Sequence, residues 1–417
     1  MADLLSYPSL VEAPFIIVEI GGYTFGSYQN SGSKLSGKVT YPNFMSSINI
    51  VKINGQLNTY TIKMVYQIRE GDDPNMLDAV FSVNVNKYGY QKIKISYGDW
   101  SCPSYIYKEE EAIITKVLSN VDFQGSKIDY TLNCTSTKLA LTSNTYNFPA
   151  VVAKPSDVLI NLTCNKAYGL QNVFTGMSSK NKIKSSGFIA SDDKVVKIEA
   201  KENVNLLAYM NYVVSCMSCV TDSDDSIIKN HKYFLSLEDD VDNNMGGSYY
   251  KVTKVSAKDT TTQNQDSPDT YSVDVGYPGN NFVTGFSINN NELWSIVYNY
   301  SKTLPQSNYV YNIDNEGRLI TTYSPAISTS RDYKYTTESS KTWWTSMTEF
   351  PITATLKIKG LLRPSILMSK VRINSYFYGR KHISSGLCII TKQEDTVDAS
   401  GYRTVLTLTR VGADGVT

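Results

Sequence analysis

Residues 401–410 read Gly-Tyr-Arg-Thr-Val-Leu-Thr-Leu-Thr-Arg, and this stretch decides the fold class. Leu406 and Leu408 alternate with Thr407 and Thr409. Because successive side chains of a β-strand point to opposite faces, the two leucines share an apolar face and the two threonines share a polar one. The stretch therefore predicts a half-buried β-strand.

The same alternation of apolar and polar residues recurs in three earlier segments. Gly-bearing loops at residues 377–380 and 398–401 separate apolar runs near the end of the chain, as in antiparallel hairpins. Strand signals dominate, so we predict a mainly β protein. The predicted inward residues of the three segments are Ile93, Ile95 and Tyr97; Leu356 and Ile358; and Val371, Ile373 and Phe377.

Three other segments carry apolar residues at helical spacing. The first is residues 109–121, where three glutamates precede the apolar stripe and suit a helix N-terminus. The second follows Pro155 and is predicted to stop at Gly169. The third spans residues 204–220, and the strand-like residues 182–199 lie between the second and third helices. These last segments predict a small α/β insert within the β protein.

Composition limits the classes of protein that fit. The 417 residues are enough for about two to three domains. The formal net charge of +1 gives no bulk attraction to duplex DNA or to anionic lipid. Hydrophobic residues make up 41% and charged residues 19%, which indicates a folded chain. The 31 Tyr are typical of half-buried strands and of protein interfaces.

Two sequence patterns bear on the cellular compartment, a membrane span and a signal peptide. No apolar run approaches the roughly 18 residues of a membrane span, and residues 1–4 lack the pattern of a signal peptide. We therefore expect assembly in a host cytoplasm without membrane insertion. In that reducing compartment the six Cys are predicted to be small buried hydrophobic residues instead of disulfide partners.

Few residues suit catalysis or metal binding. The two His lie in no nucleophile or metalloprotease motif. Cys216 and Cys219 form the single CxxC, which could be half of a zinc site with His231 as a third ligand. A closed structural site needs four ligands, and the sequence offers no second Cys pair. We predict no catalytic site, no metal and no cofactor, and therefore no enzyme.

Four segments of the last third follow a recognisable order: a strand ending in Gly, a strand with a turn, a Ser-Gly-apolar strand, and a Gly-Tyr-x-Thr-x-Leu-x-Leu hairpin arm. The segments are residues 351–364, 371–379, 385–390 and 401–410. This order resembles the C-terminal barrel of bacteriophage baseplate hub proteins. That family includes the hub of contractile tails, the late-control tail protein of temperate phages and the hub part of type VI secretion spike proteins.

The resemblance implies two tube-like antiparallel β-barrel domains per chain. One covers residues 1–150 with one helix, the other covers residues 241–417 with loop insertions, and the small α/β insert of residues 151–240 separates them. It further implies a homotrimer that forms a pseudo-six-fold ring between a six-fold tail tube and a three-fold spike. On the family pattern, residues expected to serve structure and assembly are Gly360, Gly379, Gly386, Gly401, Tyr402, Thr404, Leu406 and Leu408.

The resemblance also implies partners and a place in the virion. The protein is expected in the tail baseplate, in contact with the tail tube protein, the tape measure protein and other baseplate proteins. DNA would meet it only in transit through the lumen during genome ejection. Residues 411–417 are too short for a lysozyme domain or a needle, so the spike or needle is expected to be a separate protein.

Two alternative functions compete with a structural hub. A receptor- or carbohydrate-binding tail protein could use Trp343 and Trp344 as a stacking platform, although large aromatic residues more often pack onto a core. A tail-associated cell-wall hydrolase could use paired carboxylates, but spacing along the sequence does not show two of them converging on a sugar.

Overall fold

The fold is described by a computed structural model. It describes residues 14–26, 41–42, 45–81, 89–99, 108–164, 183–184, 195–217, 231–238, 249–256, 269–275, 283–290, 309–313, 315–316, 319–323, 352–360, 367–382 and 384–413. Within these residues the helices are α1 (Met76–Phe81), α2 (Ala140–Ser143), α3 (Pro155–Cys164) and α4 (Leu206–Cys216). None of the described helices is long and apolar enough to cross a bilayer.

The strands account for most of the described chain. Those up to residue 153 are β1 (Pro14–Ile20), β2 (Tyr23–Gly26), β3 (Tyr41–Pro42), β4 (Met45–Ile53), β5 (Thr59–Gln67), β6 (Lys92–Asp99), β7 (Lys108–Asp122), β8 (Lys127–Ser136), β9 (Thr145–Phe148) and β10 (Val151–Ala153). Those from residue 183 to residue 256 are β11 (Ile183–Lys184), β12 (Val196–Ile198), β13 (Lys201–Asn205), β14 (His231–Glu238) and β15 (Tyr249–Ser256). The remainder are β16 (Asp269–Val275), β17 (Val283–Asn290), β18 (Tyr309–Ile313), β19 (Leu319–Tyr323), β20 (Ile352–Lys359), β21 (Lys370–Phe377), β22 (Arg380–Lys381), β23 (Gly386–Asp398) and β24 (Gly401–Ala413).

One 15-stranded sheet runs through both ends of the chain. Its main path is β17-β20-β24-β23-β4-β5-β8-β7-β6-β1-β2-β3, and β21 joins β23 while also pairing with β16 and β22. We call β1–β8 the N-terminal half, and β16, β17 and β20–β24 the C-terminal half. β1 contacts β4, and β16 contacts β17, so strands from opposite ends of each half approach one another. The predicted mainly β class is confirmed, whereas the number of barrels stays a prediction.

The buried apolar residues form three cores. The first fills the N-terminal half and also contains Val397 and Tyr402 from the C-terminal half. The third fills the C-terminal half around Leu356, Leu406 and Leu408. The second holds together a central unit of α2–α4 and the short strands beside them. The domain boundaries predicted at residues 150 and 240 stay predictions.

The central unit is built on two helices that the sequence predicted. Pro155 begins α3, and the Asn205 side chain caps α4 by accepting a hydrogen bond from the Ala208 amide at 2.8 Å. The unit touches the N-terminal half at the β4–β5 turn. There Asn211 Nδ2 on α4 donates to the Gly55 carbonyl at 2.8 Å, and the Gly55 amide donates to the Leu235 carbonyl at 2.7 Å.

The two halves of the large sheet repeat one five-strand arrangement. In the order in which the strands pair, β4-β5-β8-β7-β6 of the N-terminal half corresponds to β17-β20-β24-β23-β21 of the C-terminal half. The register shifts correspond as well: β7 has a bulge at Thr115 against β8, and β23 has one at Thr391 against β24. The next outward strand differs, because β1 is antiparallel to β6 whereas β16 is parallel to β21.

Short sequence identities accompany this structural repeat. The bulged strands align Ile113-Ile114-Thr115-Lys116 with Ile389-Ile390-Thr391-Lys392, and Val121-Asp122 with Val397-Asp398. The cross-strand partners also align Thr59, Thr61 and Lys63 of β5 with Thr353, Thr355 and Lys357 of β20. The chain therefore contains two related sheet units, one on each side of the central unit.

The helix predicted at residues 109–121 is wrong, because these residues form strand β7. β7 pairs with β6 through residue 113 and with β8 along most of its length. The bulge at Thr115 shifts the alternation by one residue, so Ile114 and Val117 both face inward and mimic a helical spacing of three. The β-branched side chains of this segment favour the extended conformation.

Smaller differences concern individual positions. Val371 and Ile373 are buried as predicted, but Phe377 is 45% exposed, because it stands at the tip of the β21–β22 hairpin beyond the core. The third predicted helix is shorter than expected and begins at Leu206, after β13. Gly169, Cys219, Trp343 and Trp344 lie outside the described residues.

Candidate assembly site at the junction of the sheet halves

Strand β23 belongs to both halves of the sheet. Its first residues, 386–389, pair with β21, and residues 392–397 pair with β4 on the same side, while β24 lies along the other side. Thr391 stands at the change of partner, where its carbonyl accepts a hydrogen bond from the Asn54 amide at 3.0 Å. We call the β4–β23 ladder the intrachain junction, since it joins the N-terminal and C-terminal halves edge to edge.

A buried ion pair lies beneath the intrachain junction. Lys52 on β4 is 1% exposed and faces Gln393 across the ladder. Its Nζ lies 2.5 Å from Oε1 of Glu110, which is fully buried on β7. Tyr60 donates its hydroxyl to Glu110 Oε2 at 2.7 Å. Both charges are thus removed from water together, which is tolerable only because each is paired and hydrogen-bonded.

A second polar cluster surrounds Asp395 on β23. Gln393 Nε2 donates to Asp395 Oδ2 at 2.7 Å, and Thr404 Oγ1 donates to Asp395 Oδ1 at 2.6 Å. Tyr402 is buried beside them, and burial together with the nearby Asp395 carboxylate raises the pKa of its phenol well above the ordinary value. The Thr404–Asp395 hydrogen bond thus links β24 to β23 within the buried part of the hairpin.

The outward face of the junction carries a half-buried acid. Asn49 Nδ2 donates to Glu394 Oε1 at 3.1 Å, and Lys392 Nζ lies 3.0 Å from Glu394 Oε2. Burial alone would raise the pKa of the Glu394 carboxyl, but these hydrogen bonds and the lysine charge outweigh it and lower the pKa. Glu394 is therefore charged at neutral pH and ties the two strands on this face.

Gly360 and Tyr402, both predicted from the sequence, contact each other. The Gly360 amide donates to the Tyr402 carbonyl at 2.8 Å. A Cβ added at Gly360 would lie 2.2 Å from ring atoms of Tyr402, so no larger residue fits while that ring stays in place. Gly360 thus lets Tyr402 cross the end of β20 and reach the first core.

The other predicted residues are spread over the C-terminal half. Leu406 and Leu408 are buried in the third core, which confirms their shared inward face. Gly379 and Gly401 form hairpin turns with φ of +79° and +114°, conformations that favour glycine. Gly386 is buried where β23 begins. Tyr402, Thr404 and Leu406 pair with junction residues of β23, and the assembly role of the whole set stays a prediction.

The charged and polar residues at the junction were not among the residues that the sequence patterns predicted. Lys52, Glu110, Gln393 and Asp395 are all buried. A signal was present, because Glu110 alternates in phase with Ala112 and Ile114 once residues 108–114 are treated as a strand. The helix prediction concealed that phase and placed the glutamates at a helix N-terminus.

No metal-binding group of three or more His, Cys, Asp and Glu side chains occurs among the described residues. Cys216 lies on the buried face of α4, and burial raises the pKa of its thiol to about 11. Cys134 and Cys388 are also buried, and neither forms a disulfide. Because Cys219 is outside the described part, the absence of metal at the CxxC stays a prediction.

Comparison with known proteins gives matches by structure alone. No protein family model matches the sequence, and no curated protein matches it. The structure is similar to the tail protein from Neisseria meningitidis MC58, with a TM-score of 0.52, 8% identity, and coverage of 95% of this chain and 97% of that one. It is similar to the 43 kDa tail protein of prophage MuSo2 from Shewanella oneidensis, with a TM-score of 0.51, 10% identity, and coverage of 96% and 99%.

A third similar structure is the Francisella PdpA-VgrG complex, with a TM-score of 0.51 and 11% identity over 98% of this chain and 54% of that chain. The chain therefore has the fold of phage tail proteins over nearly its whole length. The resemblance to the hub family, inferred from four segments of the last third, is confirmed at the level of the fold.

Proposed function

We propose that the protein is a structural component of a phage tail, and that three copies form the hub ring of its baseplate. The observation that carries the proposal is the repeat of one five-strand unit in the two halves of the chain. Three chains with two such units each supply six similar units, which suits a joint between a six-fold tube and a three-fold spike.

The unpaired backbone groups at strand edges favour a closed ring. A strand at the end of a sheet exposes unpaired backbone N–H and C=O groups, and closing the sheet between subunits satisfies them. The intrachain junction already joins two units in this way within one chain. Repeating that kind of joint between chains would link the six units edge to edge in one closed ring.

The partners follow from the position of such a ring. The tail tube protein would stack on one side and a separate spike or needle protein on the other, with other baseplate proteins around the outside. Tape measure protein and DNA would pass through the lumen. The protein's own role is assembly and passage, without catalysis.

The test is the mass of the purified chain in solution, measured by sedimentation equilibrium at tens of micromolar. We expect a trimer, and negative-stain images of it should show a ring of six lobes with a central opening. A strictly monomeric chain, or a dimer with no ring, would contradict the proposed function.

A further inference from the structure

Two of the strand edges that lack a partner within the described part of the chain are related by the structural repeat. Beyond its bulge, β7 pairs with β8 on one side, and no described strand pairs with residues 116–122 on the other. β17 pairs with β20 on one side, and its other side has no ladder partner among the described residues. One of these two edges lies in each half of the sheet.

The structural repeat shows which strand pairs with the equivalent of each open edge. β17 is the counterpart of β4, and residues 116–122 of β7 are the counterpart of residues 392–398 of β23. In the intrachain junction, β4 pairs with that part of β23. The two open edges are therefore the same pair of surfaces, present once more in the chain and still unjoined.

Burial at equivalent positions supports the correspondence. Val397 on β23 is 4% exposed, whereas its counterpart Val121 on β7 is 44% exposed. Ile50 on β4 is 1% exposed, whereas its counterpart Ile288 on β17 is 40% exposed. These two apolar side chains that the intrachain junction covers thus have exposed equivalents at the two open edges.

We propose that β17 of one copy pairs antiparallel with residues 116–122 of β7 in a second copy. By the repeat, Val121 would lie opposite Phe286, Ser119 opposite Ile288, and Val117 opposite Asn290. The inference rests on the proposed function and specifies its subunit interface. Because different surfaces meet, the contact is heterologous, and successive copies close into a ring in which every joint resembles the intrachain junction.

Engineered disulfides test this pairing and its register. Residues directly opposite in an antiparallel pair have Cα atoms about 4.5–5.5 Å apart, which lies within the range of a disulfide. Ser119→Cys and Ile288→Cys chains, each with a different affinity tag, are co-expressed, purified through both tags and oxidised. Asn120→Cys replaces Ser119→Cys in the control, because its side chain points to the opposite face. The tagged parent chains control for the native cysteines.

We expect a covalent dimer from Ser119→Cys with Ile288→Cys, and none from the Asn120→Cys control or from the parent. Equal dimer in the test and the control would overturn the proposed register. If sedimentation shows a trimer but no covalent dimer forms, this interface is wrong and the proposed hub function stands. A chain that stays monomeric and gives no covalent dimer contradicts both.

Discussion

Glu110 and Glu111 are neighbours with the same side chain, and strand β7 sends them to opposite faces. Glu110 is fully buried against Lys52 and Tyr60. Glu111 lies 2.6 Å from Lys92 with its side chain 35% exposed and that of the lysine 59% exposed. Removing one partner of a buried pair leaves an uncompensated charge, whereas an exposed pair is screened by water.

We therefore expect Glu110→Gln to lower the free energy of unfolding by about 3–5 kcal/mol, and Glu111→Gln by less than about 1 kcal/mol. Urea unfolding followed by circular dichroism measures both. Adding Lys52→Met to Glu110→Gln removes the orphaned charge, so the double variant should lose less than the sum of the single losses. Equal, small effects of the two glutamate variants would place Glu110 in water.

At this scale the sequence predicts apolar positions better than polar ones. Leu406 and Leu408 follow from alternation alone, because burial of leucine needs only an inward face. Burial of Lys52 and Glu110 depends on each other, and residues 58 positions apart carry no local sign of that contact. Phe377 shows the limit of alternation. It lies on the predicted inward face of its strand, but it stands beyond the end of the core and is exposed.

Among the elements, β24 carries the sharpest prediction. Leu408 on this strand is fully buried, whereas Thr407 is half-buried on the opposite face. Leu408→Asp places an unpaired carboxylate in the third core and should cost several kcal/mol, on the order of the exceptional single-site losses. Thr407→Lys should change stability by less than about 0.5 kcal/mol, as surface substitutions do.

Thermal unfolding of the two variants checks this difference, and sedimentation adds a second readout. If Thr407→Lys folds like the parent but fails to assemble, the outward face of β24 meets a neighbouring chain. If Leu408→Asp instead unfolds at the parent's temperature, β24 does not occupy the register that buries this leucine.

The elements also show where sequence patterns fail. Strands β20 and β24 alternate without interruption over the core, so period two predicts them. β7 breaks the alternation at Thr115, and a pattern counted across a bulge resembles a helix. The structural repeat is not evident from the sequence, because loops and strands of different length separate its segments and its identities are runs of only a few residues.

In the whole molecule, the first core contains residues from both halves of the sheet. Val397 and Tyr402 come from the last strands of the chain, yet they pack among residues of the N-terminal half. The fold of the N-terminal half therefore depends on the C-terminal hairpin. If the proposed interface is correct, Val121 packs against a second copy as Val397 packs against the N-terminal half. Burial of Val121 then requires assembly, whereas burial of Val397 requires only folding.

This equivalence gives the last prediction, a pair of substitutions at matched positions. Val397→Asp buries a carboxylate inside the single chain and should lower its free energy of unfolding by several kcal/mol. Val121→Asp affects a side chain that is 44% exposed in one copy, so the dilute chain should unfold at nearly the parent's urea concentration.

At tens of micromolar, however, Val121→Asp should be defective in assembly, because the carboxylate would be buried opposite Phe286 of the next copy. Sedimentation should then find a folded monomer where the parent forms a trimer, while the far-UV circular dichroism of the two chains is the same. An unpaired charge buried in the subunit interface would weaken association. A Val121→Asp chain that forms trimers as readily as the parent would therefore show that residues 116–122 lie outside the subunit interface.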